Sequence, residues 1–131
     1  QHLRQAAGQP QGVQWMLADM VTQIEASRAL VHVAAQKYDR GDADTATFAS
    51  MAKLHATDLC MKVVTDALQL TGGRGYLQDF PLERFFRDAK LNQIGEGASE
   101  VHKTVIGRDV ARRAASAERN PCLRDGPLTE Y

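Results

Sequence analysis

Three features that would assign this chain to nucleic acid, to a membrane or to a secreted fold are missing from its sequence. Sixteen Lys and Arg residues balance sixteen Asp and Glu residues, so there is no basic surplus for nucleic acid or an anionic membrane. Uncharged runs such as residues 29–36 are far too short to span a bilayer. The two cysteines, Cys60 and Cys122, form no C-x-x-C pair, which is typical of a reducing, cytoplasmic compartment.

Metal-binding patterns are missing as well. The sequence contains no Glu-x-x-His pair, the motif on which di-metal carboxylate bundles depend. It also has no Cys/His cluster at zinc-ligand spacing. His55 and Asp58 share one helix face, and an isolated pair of this kind favours a surface or interface contact. We therefore expect no metal site.

What the sequence does contain is helical periodicity. Apolar residues recur at steps of three, four or seven from Val13 to Tyr38, which predicts a helix over 12–40. Gly41 then suits a left-handed C-terminal cap. The side chains of Asp42 and Asp44 are predicted to accept the first free N–H groups of the next helix.

The predicted second helix, 45–71, has apolar residues on more than one face. Such a helix is packed between neighbours in its own domain or against another chain. Three glycines within residues 72–75 end it, because each glycine costs a helix about 1 kcal/mol relative to alanine. Pro81 predicts the first position of a short helix that reaches about Leu91, and a last helix is predicted over 99–115.

These elements define the predicted architecture. The sequence has no strand signal of any length and no internal repeat. We expect an all-α fold, an antiparallel bundle of three long helices and one short helix, over residues 1–115. Residues 116–131 have few apolar side chains, which predicts an extended or disordered tail.

Three sequence blocks carry a family resemblance. In order and in spacing they resemble the C-terminal helical domain of the acyl-CoA dehydrogenase family, and the resemblance extends over residues 11–114. The blocks are DALQLTGGRGY at 66–76, PLERFFRDAK at 81–90 and QIGEGASE at 93–100.

The resemblance implies a function for the whole assembly. Members of that family are flavoenzymes with an N-terminal helical domain, a central β domain and this C-terminal domain, usually as dimers or tetramers. The chain would then be part of an FAD-dependent oxidoreductase of fatty acid metabolism, which converts an acyl-CoA thioester to trans-2-enoyl-CoA. Its FAD site would be incomplete, and the chain alone inactive. A eukaryotic member would reside in the mitochondrial matrix.

The same resemblance implies partners. These are further copies of the chain, bound through helix packing, a chain that supplies the N-terminal and β domains, and an electron-transfer flavoprotein or another acceptor. An alternative remains open at this stage, in which the chain is a stand-alone helical assembly module without catalysis. Flavin absorbance of the purified material discriminates between the two.

The resemblance also implies roles for individual residues. Glu96 would be the base that removes the substrate α-proton, and the flanking Gly95 and Gly97 would contact substrate, since they remove Cβ bulk and allow unusual backbone angles. Many family members have an aromatic residue in place of Gly95 and a threonine in place of Ala98. The implied flavin contacts are Gln69, Gly72 and Gly73 at the pyrophosphate of a neighbouring subunit's flavin, and Ala98 and Glu100 beside the adenosine end.

Overall fold

The computed structural model of the chain describes residues 10–119. Its elements are α1 (Gln11–Arg40), α2 (Thr45–Thr71), a 3-10 helix (Gly72–Tyr76), α3 (Pro81–Ile94) and α4 (Ser99–Arg119), with no strand in the described part. The all-α prediction is confirmed. Pro81 opens α3 as expected, and α3 extends a few residues beyond its predicted end. The predicted tail is wrong for residues 116–119, which continue α4, where the Ser116 hydroxyl donates to the Arg112 carbonyl at 2.9 Å. The rest of the predicted tail, 120–131, lies outside the described residues.

Helix α2 is the centre of the bundle, because it contacts each of the other three α-helices. This explains why its apolar residues cover more than one face. The buried hydrophobic side chains of the described residues are mostly small, which lets the helix axes approach closely. They are Met20, Ala34, Ala52 and Ala89.

Helix α1 buries a narrower stripe than its periodicity predicts. Met20 and Ala34 are buried, but Tyr38 is 76% exposed and Trp15 is 62% exposed. Val31, from the same predicted face, is exposed too. The reason is geometric, since α1 packs mainly against α2 and a single neighbouring helix covers only part of an apolar face. No helix within residues 10–119 is long and apolar enough to cross a membrane.

The turn between α1 and α2 confirms one expectation and contradicts another. Gly41 has the predicted left-handed conformation, with φ of 71°. The predicted capping by aspartate side chains is wrong, because the carboxylate of Asp44 accepts hydrogen bonds from Lys37 Nζ at 2.9 and 3.0 Å. Asp42 also forms an ion pair with Lys37. The backbone N–H of Thr47 donates instead to the carbonyl of Asp44, at 3.0 Å.

Arg113, which pairs with Asp109, connects α4 to this turn. The Asp109 side chain is 8% exposed and forms ion pairs with Arg112 and with Arg113, whose Nε lies 2.7 Å from Oδ2. Arg113 also approaches Asp44 at 3.5 Å. The hydrogen bond from Arg112 holds the pKa of Asp109 below its usual range, and the one from Lys37 lowers the pKa of Asp44.

These lowered pKa values predict acid sensitivity. A carboxyl whose folded pKa lies below its unfolded pKa, about 3.9 for aspartate, stabilises the fold above that value and loses this contribution as pH falls through the folded pKa. We expect the free energy of unfolding to decrease below about pH 4. Urea titrations between pH 3 and pH 7 measure this, and Asp109→Asn should flatten the dependence. An equal effect of Asp79→Asn, in the exposed loop before α3, would contradict the assignment.

Gly75 is required by packing. It is buried, and a Cβ atom there would lie 2.0 Å from Thr71 Oγ1. We expect Gly75→Ala to lower the free energy of unfolding by about 2 kcal/mol, as overpacking commonly does. Thr71→Ala in the same chain removes the closest atom and should restore part of the loss. Thermal melts of the single and double variants measure the coupling, and strictly additive effects would contradict it.

Candidate functional site

The loop between α3 and α4 has an unusual backbone. Glu96 is left-handed, with φ of 55°, and among residues 10–119 no other non-glycine residue has a positive φ. Gly97 follows with φ of 94°, whereas Gly95 is extended, with φ of −68° and ψ of 154°. The unusual angles expected beside Glu96 therefore occur at Glu96 itself and at Gly97. A left-handed glutamate costs about 1 kcal/mol or more, so neighbouring groups have to hold it in place.

Two side chains hold the carbonyl groups of this loop. Lys53 Nζ, from α2, donates to the Gly97 carbonyl at 2.5 Å. His102 Nε2, from α4, lies 3.3 Å from the Glu96 carbonyl oxygen. The imidazole also packs so closely that a Cβ on Gly97 would lie 3.0 Å from Nε2. Two consecutive peptide groups are thus held from the side of α2 and α4.

Asp58 ties the helices on both sides of the loop to α2. Its Oδ1 accepts hydrogen bonds from Gln93 Nε2 at 2.7 Å and from Ser99 Oγ at 3.2 Å. Gln93 lies near the end of α3, and the buried Ser99 begins α4. Asp58 is half-buried, and the surface or interface contact expected from the sequence is, for this residue, a contact between helices of the same chain. Lys53 was missed, because its partner is a backbone carbonyl that no sequence pattern identifies.

Several predicted site residues meet at this junction. Ala98 and Glu100 line a polar cavity of about 300 Å³ together with two lysines, Lys90 and Lys103. Glu96, two positions before Ala98 in the chain, is exposed. Within residues 10–119, no group of three or more His, Cys, Asp or Glu side chains is placed to hold a metal ion. The junction thus combines an accessible carboxylate with a polar recess that can accept hydroxyl, amine or phosphate groups.

The other predicted site residues lie at the far end of α2. The helical rise of about 1.5 Å per residue places Gly72 about 28 Å from Lys53 along the helix axis. Gln69, Gly72 and Gly73 are exposed there. Within one chain, these residues and Glu96 therefore do not contact the same small group.

The main chain at that end of α2 is accessible, because Gly72 and Gly73 have no side chains that could cover it. Gly72 has φ of 60° and ψ of −152°, a region that essentially only glycine adopts. A Cβ built on Gly72 or Gly73 would meet nothing within 4 Å. An exposed main chain without side chains can be approached closely by a phosphate. The residues present therefore fit the phosphates of a nucleotide cofactor.

Several known proteins are similar to this chain in sequence and in fold. The family model for the acyl-CoA dehydrogenase C-terminal domain matches residues 1–111. Cyclohexane-1-carbonyl-CoA dehydrogenase of Geobacter metallireducens is 49% identical over 116 residues, which is 86% of this chain. Butyryl-CoA dehydrogenase of Megasphaera elsdenii is 44% identical over 79% of the chain, with a TM-score of 0.74. The FAD complex of PigA is 28% identical over 82%, with a TM-score of 0.75.

The matches cover a limited part of those proteins. This chain spans 30% of the length of the Geobacter relative. It spans 28% of each of the two solved structures.

Proposed function

This chain belongs to the acyl-CoA dehydrogenase family, and from that premise we propose that it is the C-terminal domain of an FAD-dependent enzyme that oxidises acyl-CoA thioesters to trans-2-enoyl-CoA. The observation that carries the proposal is the exposed, left-handed Glu96 between two residues without side chains. A fold that needed only a helix connection would gain nothing from a glutamate in that conformation.

In this proposal Glu96 is the general base. Its carboxylate takes the α-proton of the thioester, and such proton transfers commonly contribute about 10²- to 10⁴-fold in rate. The missing side chain of Gly95 leaves room for the substrate to approach the carboxylate, whereas the His102 imidazole packs against Gly97, 3.0 Å from where a Cβ would lie. Backbone N–H groups where α4 begins, at Ser99, polarise the thioester carbonyl and so acidify the α-proton.

Two sets of residues would hold FAD, which when bound supplies the acceptor for the β-hydride. Gln69, Gly72 and Gly73 would contact the pyrophosphate of the cofactor bound in a neighbouring subunit. The distance of about 28 Å along α2 supports this assignment, because one chain cannot bring both sets to one small group. Ala98 and Glu100 would lie beside the adenosine end, in the polar cavity between α3 and α4.

The absence of a side chain at Gly95 affects how large the acyl group of the substrate can be. Its extended backbone is one that any residue adopts, and the nearest atom to a Cβ there is the Leu91 carbonyl oxygen at 3.3 Å. The backbone angles therefore do not require glycine, although the Leu91 carbonyl would crowd a Cβ atom there, and in this proposal the acyl group takes the space that a larger side chain would fill beside Glu96. The Geobacter relative is named for cyclohexane-1-carbonyl-CoA. We propose a substrate whose acyl group is bulky near the α-carbon.

The exposed apolar residues of α1 support association with further chains. Val21, Ile24 and Val31 are exposed and share one side of the helix at 3.6 residues per turn, and exposed apolar faces are typical of interfaces. The proposed partners are further copies of this chain and the N-terminal and β domains that would complete the flavin site. An electron-transfer flavoprotein or a similar acceptor would reoxidise the enzyme.

The test is flavin reduction by substrate. The full-length protein is purified, its flavin content is measured, and the flavin absorbance is followed under anaerobic conditions after addition of acyl-CoA thioesters. The panel includes butyryl-CoA and cyclohexane-1-carbonyl-CoA. Rapid bleaching, fastest with the bulkier acyl group, is expected. A stable helical oligomer without flavin or bleaching would support the assembly module instead.

A further inference from the structure

We propose that Lys53 is a positioning residue for Glu96. Its ammonium group holds the carbonyl of Gly97 and so fixes the orientation of the peptide that follows Gly97, one residue beyond the left-handed Glu96. The inference rests on the proposed role of Glu96 as the base. It assigns to α2 a contribution to the reaction that the family resemblance did not imply.

The contact fixes the loop because of peptide geometry. No described peptide bond is cis, and in a trans peptide the C=O and N–H groups point in opposite directions. With the Gly97 carbonyl bonded to Lys53, the N–H of Ala98 must point away from that ammonium. His102 lies against the preceding carbonyl, that of Glu96, at 3.3 Å. Together the two side chains restrain the peptide planes on both sides of Gly97, the residue with most conformational freedom.

A comparison with two other lysines supports the same conclusion, because their partners are carboxylates and the partner of Lys53 is a neutral carbonyl. Lys37 and Lys62 each bind an aspartate. Lys53 is half-buried, and within the described residues its hydrogen bond goes to the neutral Gly97 carbonyl, with no ion pair to a carboxylate. A hydrogen bond from a charged donor is roughly twice as strong as a neutral one. Lys53 therefore stabilises one loop carbonyl at a strained position, which is more than a solvated surface charge would do.

The anchoring of the loop makes the effect of Lys53 specific. Asp58 already ties Gln93 and Ser99 to α2, one on each side of the loop. Loss of the Lys53 contact therefore leaves α3 and α4 attached and frees the peptide groups between them. The expected consequence is a mobile Glu96 carboxylate in an otherwise intact bundle.

The experiment compares Lys53→Met with Lys62→Met in the flavin-bound, full-length protein. Methionine keeps an unbranched apolar stem and removes the donor, while Lys62 is an exposed residue of the same helix that pairs with Asp66. Lys53→Met should lower the rate of flavin reduction at saturating acyl-CoA about tenfold, with little change in KM, because misplacing a reacting group slows the chemical step. Amide hydrogen exchange of residues 95–100 should become faster. Lys62→Met should change neither.

Further variants keep the test decisive. Lys53→Arg retains a charged donor and should recover at least half of the wild-type rate, and Lys53→Leu, which also lacks a donor, replaces the methionine variant if that protein does not fold. Wild-type rate and exchange in Lys53→Met, or an arginine variant as slow as the methionine variant, would overturn the proposal. If Glu96→Gln keeps the wild-type rate while Lys53→Met still accelerates exchange, the base assignment fails and the loop restraint by Lys53 stands.

Discussion

Glu96→Gln is expected to slow acyl-CoA-dependent flavin reduction by about 10⁴-fold, at the upper end of what general bases contribute. Glutamine keeps the volume and the hydrogen-bonding reach of the side chain but has no basic carboxylate, so the variant separates proton removal from substrate positioning. The fold and the flavin content should not change, because Glu96 is exposed and the contacts of this loop are made by its backbone carbonyl groups. Anaerobic stopped-flow absorbance of the flavin, with saturating acyl-CoA, measures the rate.

The matched control is Glu25→Gln. Glu25 is an exposed glutamate on α1 that pairs with Arg28, so its neutralisation changes the net charge equally without touching the loop. It should reduce flavin at the wild-type rate. Bleaching by the Glu96→Gln protein at that same rate would show that Glu96 is not the base, and another carboxylate would then have to be sought.

Gly73→Ala is expected to weaken flavin binding about 10- to 100-fold, the loss that one or two displaced charge-assisted hydrogen bonds produce. The structure of this chain gives no reason for glycine there, since a Cβ would meet nothing within 4 Å and its φ is not positive. A methyl group would instead stand where the pyrophosphate of a neighbouring subunit's flavin has to approach. Equilibrium titration of the apoprotein with FAD measures the dissociation constant, and thermal melts without flavin should be unchanged.

Variants of two other glycines serve as controls for Gly73→Ala. Gly107→Ala also places its methyl group in open space, on α4, and should leave flavin affinity unchanged while adding up to about 1 kcal/mol of helix stability. Gly72→Ala should lower the stability of the apoprotein, because its φ of 60° disfavours any Cβ. Unchanged flavin affinity in Gly73→Ala would remove this turn from the proposed cofactor site.

The parts of the fold that sequence predicted are those governed by local rules. Helix periodicity, the fixed φ of Pro81 and the left-handed preference of Gly41 depend on neighbouring residues alone, and the structure agrees with each. The aspartate cap failed where a competing interaction prevailed, since Lys37 binds the carboxylate of Asp44. Tyr38 fits the periodic apolar face and is nonetheless exposed, because burial depends on whether a neighbouring element covers the residue.

In the candidate site, too, some residues could be predicted from the sequence and others could not. The family resemblance directed attention to Glu96 and its glycines, and their roles stay predictions. The residues that hold the loop, Lys53 and Asp58, act across 44 and 41 positions in the chain. Contacts of that kind leave no periodic trace in a sequence, because a lysine that binds a distant carbonyl has the same spacing as one that faces solvent.

The left-handed backbone at Glu96 sets stability against activity. Glycine or asparagine would relieve about 1 kcal/mol of strain at this position, so selection for a more stable bundle alone would drive the glutamate out of the chain. A protein that had lost its chemistry would have no opposing pressure. If Glu96 is the base, substitutions that stabilise the bundle at this position are expected to cost activity, so the strain and the reaction cannot be optimised separately.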